Sequence, residues 1–277
     1  MKIDFIYPNS ELLKKHIECF SFVQTSQEVE AEYVMYPNVT TILSLSKQTT
    51  LQIQNNFVTV KINPQLNEIQ SDITGRFLVP LHFRYCGKFD EINIVFKPLG
   101  FAHFFPQLYS KIALQNYQLF RPDFADWSNF TKQLFDYDTQ NKRVKCLENY
   151  LLQKFNPPEL ERFSQVVDCL LNLEETRSIR EISFEAGFHQ KKLERLCVNH
   201  LGCSAATFRR IVRFRHSIKL RLAENEAKDF TDISHQSNFS DQPYFNKEFR
   251  KLSEMSPKEF FKATWKIPEH NIVLKVL

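Results

Sequence analysis

Glycine is scarce in this chain of 277 residues, and no two glycines lie close together. There are five, and the nearest pair, Gly75 and Gly87, is 12 positions apart. The glycine-rich motifs that bind dinucleotides or phosphates, and the G-x-S-x-G turn of serine hydrolases, need glycines a few positions apart. The sequence therefore excludes these nucleotide-binding and hydrolase motifs.

Long apolar runs are also missing. The longest stretch without a charged residue, Tyr33–Ser46, has 14 residues and is rich in Thr, Ser, Asn and Pro. A membrane-spanning helix needs about 20 mostly apolar residues, and the start of the chain lacks the apolar core of a signal peptide. We expect a cytoplasmic protein with no membrane contact.

The six cysteines are scattered and form no C-x-x-C pair. The nearest group of metal-ligand types, His82, Cys86 and His103, lacks the spacing of a zinc site. We expect reduced, mostly buried thiols, no metal and no cofactor. No local signature of a catalytic nucleophile is present either, so the chain is not expected to be an enzyme.

The first half predicts an α+β domain of mixed strands with flanking helices. Asn55-Asn56 is expected to turn a hairpin. Helices are expected over Glu11–Phe20 with Ser10 as cap, over a short stretch at 101–108, and over Asn141–Phe155, whose buried face should carry Val144, Leu147, Leu151 and Leu152. Strands are predicted for five segments rich in β-branched and aromatic residues: Thr40–Ser46, Leu51–Gln54, Phe57–Ile62, Leu81–Tyr85 and Ile92–Phe96.

Pro157-Pro158 cannot continue a helix and marks a boundary. We predict a regulatory or dimerisation domain over 1–156 and a separate domain over 157–277. The second domain is predicted to consist of short helices up to about Lys266. It also contains an internal sequence repeat. Ile182 recurs as Ile233 at a spacing of 51, and later residues recur at a spacing of 52: Leu193 as Phe245, Arg195 as Lys247, Ser204 as Ser256 and Phe208 as Phe260.

Each copy has the pattern of a helix-turn-helix unit. In the first copy Gly187 stops one helix, and the next buries Leu193, Leu196, Cys197 and Leu201 while exposing Lys191, Glu194, Arg195 and Val198. In the second copy Asn238 takes the turn, Ser240 is the expected cap, and Pro243 falls in the first turn. Its second helix is expected to bury Phe245, Phe249 and Leu252 and to expose Gln242, Pro243, Asn246, Lys247 and Arg250.

A longer helix, expected over about Ser204–Ala223, connects the copies. From Gly187 to Arg221 the chain has nine Lys or Arg residues against one acid, whereas the remainder carries 27 basic and 31 acidic residues. This local surplus indicates a surface that faces a polyanion, although a solvated helix face would have the same composition.

At these residues the sequence resembles the AraC/XylS family of bacterial transcription regulators. The matching stretches include Ile179–Phe188, Phe230–Ile233, Asn238–Gln242 and Ser256-Pro257, and the resemblance covers about 160–266. It implies an all-α domain of about seven helices with two helix-turn-helix units joined by a long helix. Several positions depart from the family pattern: His189, Cys197, Ala205, Asn238 and Glu254.

The second helix of a helix-turn-helix unit enters the major groove of DNA. Arg195 is the strongest candidate for base contact, since arginine pairs with guanine O6 and N7. The full predicted set for base contacts is Lys191, Glu194, Arg195, Gln242, Asn246 and Lys247. Phosphate contacts are predicted for Arg209, Arg210, Arg213, Ser240 and Arg250, with ordinary intradomain pairing as the alternative for each arginine.

At Tyr33–Ser44 and Ile94–Phe101 the first half has a weaker resemblance to the sensor-type domains of this family, which implies a small regulatory or dimerisation domain. Its dense aromatic residues could line an effector pocket, and a packed core is the alternative; they are Phe77, Phe83, Tyr85, Phe96, Phe101, Phe104 and Phe105. We count a small-molecule effector, a homodimer and RNA polymerase as candidate partners besides double-stranded DNA. The expected function is therefore a sequence-specific DNA-binding transcription regulator and activator. The alternative is an effector-binding or protein-interaction module whose DNA-binding domain has degenerated.

Overall fold

The computed structural model describes residues 2–112, 116–223, 229–263 and 274–276. The chain forms two compact units. The first comprises Met1–Ala31, Thr40–Gly75 and Phe83–Glu159, and the second comprises Glu32–Val39, Arg76–His82 and Leu160–Leu277. The assignment of a regulatory role to 1–156 and of DNA binding to 157–277 stays a prediction.

An antiparallel sheet organises the first unit. Its six strands run in the order β1-β2-β9-β4-β7-β10: β1 Lys2–Ile6, β2 Ile17–Gln24, β4 Thr41–Lys47, β7 Ile69–Thr74, β9 Asp90–Phe96 and β10 Tyr117–Leu119. The register places Leu43 opposite Ile94 on β9 and opposite Ile73 on β7. These residues therefore lie on one face of the sheet.

Helices cover this apolar face, and the core of the unit lies between them and the sheet. Rings from the helical segments, among them Phe101, Phe104, Trp127 and Tyr150, pack on the strand residues. The helical elements are α1 Glu11–His16, a 3-10 helix Gly100–His103, α2 Tyr109–Ile112, α3 Trp127–Asp136 and α4 Gln140–Lys154.

The remaining strands are β3 Val29–Met35, β5 Thr49–Gln54, β6 Phe57–Ile62, β8 Leu81–Gly87 and β11 Leu274–Val276. β5 and β6 form the antiparallel hairpin that was predicted. Asn55 turns it with a φ of 55°, a left-handed conformation that asparagine tolerates. All five predicted strands are confirmed, with bounds that differ by no more than a few residues.

Three expectations for the first unit are wrong in detail. The helix predicted over Glu11–Phe20 ends at His16, and Ile17 opens β2. Ile17, Cys19 and Phe20 pair with β9, and Phe20 also pairs with Ile6 of β1. This sheet pairing prevails over the helical spacing. The helix expected over 101–108 is instead a 3-10 helix that ends at His103. Leu152, expected on the buried face of α4, is 39% exposed.

The cap predicted at Ser10 is also different. Ser10 is at the N-cap of α1, but its side chain makes no cap hydrogen bond. The Glu148 carboxylate of α4 accepts from the backbone N–H groups of Asn9 and Ser10 instead. A carboxylate at this end of a helix satisfies free donors and opposes the positive end of the helix dipole.

The second unit contains seven helices within the described residues: α5 Glu161–Leu171, α6 Ile179–Glu185, α7 Gln190–Leu201, α8 Ala205–Ala223, α9 Phe230–Gln236, α10 Gln242–Ser253 and α11 Pro257–Ala263. This confirms the predicted all-α region of about seven helices. The repeat is visible in the backbone, because α7 and α10 both have 12 residues and begin 52 positions apart. The turns match as well: φ is 73° at Gly187 and 62° at Asn238.

Helix α8 links the two copies. It packs on α5, on α7 of the first copy, and on α9 and α10 of the second. Phe214 and Ile218 of α8 are fully buried in the core of the second copy. The segment 32–39 contributes to the same core, where the ring centroids of Tyr36 and Phe260 lie 4.7 Å apart. Within the described ranges, no helix is both long and apolar enough to span a membrane.

Candidate nucleic-acid interface

Helix α7 is positioned by the turn before it and by its buried stripe. Leu193, Cys197 and Leu201 are at most 2% exposed, so the opposite face of the helix must point outward. Leu196 is only half-buried, at the edge of the stripe. The outward face carries Lys191, Glu194 and Arg195, all of which are exposed. The predicted face geometry is confirmed, and contacts of these side chains with bases stay a prediction.

Three charged residues on the outward face of α7 form no ion pair inside the part of the chain that the structure describes. Neither Lys191, Glu194 nor Arg195 makes an ion pair there, although Lys191 and Arg195 each lie within one helical turn of Glu194. Their hydrogen-bonding groups are therefore available to a ligand.

Helix α10 presents its equivalent face in the same way. Phe245, Phe249 and Leu252 are at most 1% exposed, whereas Asn246, Lys247 and Arg250 face outward and Gln242 is half-buried. Pro243 lies in the first turn as expected, where a missing N–H breaks no helical bond.

The cap predicted at Ser240 is wrong by one residue. Asp241 is the N-cap of α10, and its Oδ1 accepts from the backbone N–H of Tyr244 at 2.7 Å. The Ser240 hydroxyl donates to Asp241 Oδ2 at 3.1 Å. Asp and Ser cap helices about equally well, so the residue types could not decide between two adjacent positions. The predicted phosphate contact of Ser240 is a separate matter and stays a prediction.

The arginines of α8 are engaged within the second unit to different degrees. Arg209 donates to the backbone carbonyls of Glu175 and Arg177, at 2.9 and 3.1 Å. Arg210 Nε lies 3.2 Å from Oε2 of Glu248, a carboxylate that is itself buried. Both side chains thus make contacts inside the unit, and the phosphate contacts predicted for them stay predictions.

Arg213 is half-buried on the same helix. Burial lowers the pKa of its guanidinium, and the positive charge of Arg209 lowers it further. A phosphate beside these two arginines would relieve that repulsion, because an opposite charge stabilises the charged form.

A cleft of about 520 Å³ opens beside the N-terminus of α7. Its lining includes Phe184, Phe188 and Glu194, and Phe184 is 82% exposed. Phe184 is not among the predicted site residues. Its exposure could have been predicted from helical spacing, because it lies off the buried side of α6, where Ile182 is 3% exposed. An apolar ring therefore stands next to the polar face of the candidate recognition helix.

Comparison with known proteins agrees with this geometry. Residues 183–263 match a family model described as a helix-turn-helix domain, of the AraC type. A protein of Escherichia coli K12 named "Putative HTH-type transcriptional regulator YkgA" is 30% identical over 102 residues, which are 36% of this chain and 41% of that protein. The chain therefore aligns with less than half of that relative.

Two solved structures are similar in part. ToxT from Vibrio cholerae is 11% identical, with a TM-score of 0.46, over 88% of this chain and 97% of that one. An AraC-type regulator from Chromobacterium violaceum is 24% identical, with a TM-score of 0.33, over 36% of this chain and 88% of that one. The predicted resemblance is confirmed by the family match: residues 183–263 form an AraC-type helix-turn-helix domain.

Proposed function

We propose that this protein is a sequence-specific DNA-binding transcription regulator that reads two successive major-groove segments with α7 and α10. The observation that carries the proposal is the repeated unit itself. Two helices of equal length, 52 positions apart, each follow a short helix and a left-handed turn, and each exposes a polar face. This is the arrangement in which a second helix enters the major groove.

Helix α8 supports reading by both heads together. With 19 residues it is about 28 Å long, since an α-helix rises 1.5 Å per residue. One turn of B-DNA is about 34 Å. A linker of this length, packed on both copies, suits two recognition helices on one side of a duplex.

We assign the base contacts to the exposed faces of the two helices. Arg195 and Lys247 occupy equivalent positions of the repeat, and each offers donors to guanine O6 and N7. Phosphate contacts by the α8 arginines, Ser240 and Arg250 would set the register without reading sequence. RNA polymerase, a small-molecule effector and a second copy of the chain are further partners that we include in the proposal.

The test is selection of bound sites from a random duplex library by the full chain at near-physiological salt. We expect a motif of two short blocks about one turn apart. Arg195→Ala should erase the preference at one or two positions in one block, with about 5- to 150-fold loss of discrimination there. Lys145→Ala, an exposed lysine of α4 in the first unit, serves as the charge control and should select the same motif as the unsubstituted protein.

The alternative of a degenerate DNA-binding domain predicts a different result. Such a protein would bind every duplex alike, with an affinity that falls steeply as salt rises. Absence of any enriched motif, in the presence of salt-sensitive binding, would therefore favour that alternative over the proposed function.

A further inference from the structure

Gln242, the first residue of α10, is in contact with α9 through two other polar side chains. Thr231 Oγ1 lies 3.1 Å from Gln242 Oε1 and 3.1 Å from Asp229 Oδ2. Asp229 is the N-cap of α9, and its Oδ1 accepts from the backbone N–H of Phe230 at 2.7 Å. The three side chains thus connect a helix cap to the candidate recognition helix.

The number of hydrogens on these three side chains decides which of them donate and which accept. A threonine hydroxyl has one hydrogen, and a carboxylate can only accept. Thr231 therefore donates to Asp229, because hydrogen bonds to charged acceptors are the stronger ones. Gln242 Oε1 would then face a hydroxyl that has no hydrogen left to give. The carboxamide gains this hydrogen bond only by turning over, so that Nε2 donates to the hydroxyl.

We infer that Asp229 and Thr231 act as positioning residues that hold the Gln242 amide in one orientation and so set its base preference. This inference rests on the proposed function. In that orientation one Nε2 hydrogen would be directed at Thr231, and Oε1 and the other hydrogen would be left for a base in the groove. That acceptor–donor pair matches N6 and N7 of adenine. The reverse orientation would present only donors, which match guanine O6 and N7 or thymine O4.

The first copy of the repeat provides a natural contrast. Gln190 is the equivalent of Gln242, but Arg180 replaces the threonine and Ser178 replaces the aspartate. The acceptor–hydroxyl pair that would orient the amide is missing from that copy. An adenine preference fixed in this way is therefore expected only under α10.

The experiment is site selection with the full chain and a set of matched variants. Gln242→Ala locates the base pair that Gln242 contacts, as the position whose preference it removes. Unsubstituted protein should favour adenine there by about 5- to 150-fold. Gln190→Ala, the matched change in the first copy, should leave that position unaltered.

Asp229→Asn is the decisive variant. Asparagine and aspartate are about equally good helix caps. The Nδ2 of the asparagine would donate to Thr231, however, and the threonine hydroxyl would then donate its own hydrogen to Gln242 Oε1. The amide would turn round, and the preference should change from adenine to guanine or thymine. Thr231→Val should abolish the preference, and Thr231→Ser should retain it. Salt-dependent binding to random DNA and the thermal midpoint should change little in all three.

The outcomes separate this inference from the proposed function. If the unsubstituted protein enriches no motif, both fail. If it enriches a motif that Gln242→Ala leaves unchanged, or if Asp229→Asn selects the same bases as the unsubstituted protein, only the inference is overturned. Should Asp229→Asn fail to fold by circular dichroism, the Thr231→Val and Thr231→Ser pair decides, because equal selection by the two would overturn it.

Discussion

Glu254 ends α10 in a conformation that glycine favours, and replacing it should stabilise the second unit. Its φ is 61° and its ψ is 8°, and its backbone N–H donates to the carbonyl of Arg250 at 2.8 Å. The equivalent position of the first copy is Gly202, with a φ of 74°. A non-glycine residue in this left-handed region costs about 1–2 kcal/mol.

Two smaller effects oppose the gain from Glu254→Gly. Glycine loses more backbone entropy on folding, at a cost of about 0.5–1 kcal/mol. Glu254 Oε2 also lies 3.7 Å from His82 Nε2, and a partly exposed pair of this kind contributes only about 0.2–1 kcal/mol. With the middle of the first two ranges and the lower end for this long ion pair, the net expectation is a stabilisation of about 0.5 kcal/mol. This raises the midpoint of thermal unfolding by about 1–2 °C.

Urea and thermal unfolding of Glu254→Gly and two companions measure this gain. Glu254→Ala removes the carboxylate but keeps the backbone strain, so it should not be more stable than the unsubstituted protein. Gly187→Ala calibrates the strain at another turn, since a Cβ there would meet only Arg162 Nη1 at an ordinary 3.8 Å; we expect a loss of about 0.5–1 kcal/mol. A lower midpoint for Glu254→Gly, or equal gains for Gly and Ala, would refute the reasoning.

Three further predictions concern stability. Arg209→Ala should cost about 1–3 kcal/mol in urea unfolding, because two backbone carbonyls lose a charged donor; an unchanged midpoint would show that these bonds contribute nothing. Tyr36→Phe should raise the free energy of unfolding by about 1 kcal/mol, since the Tyr36 hydroxyl is buried without a hydrogen-bond partner among the described residues, and a loss would argue for a hidden partner. Burial lowers the pKa of His16 from 6.5 to about 4, and so does His103, whose ring centroid lies 3.9 Å from that of His16. The contribution of His16 to stability is present above pH 6.5 and lost as pH falls toward 4. His16→Phe should therefore flatten the acid limb of a pH–stability curve, and an equally steep limb would contradict this.

The helices of the second unit could be predicted because the spacing of apolar residues along each helix shows which face is buried. Leu193, Cys197 and Leu201 repeat at helical spacing and are buried together, and Gly187 marks the turn. Periodicity of this kind depends on neighbours within a few residues. The repeat then supplied a second, independent reading of the same pattern.

The first unit was less predictable, since its strands are defined by distant partners. In β7, Asp72 is only 1% exposed, which gives the strand no alternation of apolar and polar residues to detect. Burial and the neighbouring Glu91 carboxylate hold the pKa of Asp72 well above its ordinary value. The same limit applies to the cap of α1, because Glu148 lies 138 positions from Ser10.

The sequence predicted which side chains of the candidate interface are exposed, but not the hydrogen bonds that they make inside the unit. Helical spacing placed Arg195 and Lys247 outward. It could not show that Arg209 bonds the backbone of a loop 32 to 34 residues earlier. Nor could it show that Thr231 contacts Gln242, since that bond joins two helices across a turn.

Binding of the selected site as a function of block spacing tests the central claim most directly. Because α8 packs on both copies, the two heads should keep a fixed separation along the duplex. We predict that inserting five base pairs between the blocks, half a turn, lowers affinity to that of a site with one block, and that inserting ten recovers it at most in part. Equal affinity at every spacing would contradict reading of two successive grooves by α7 and α10.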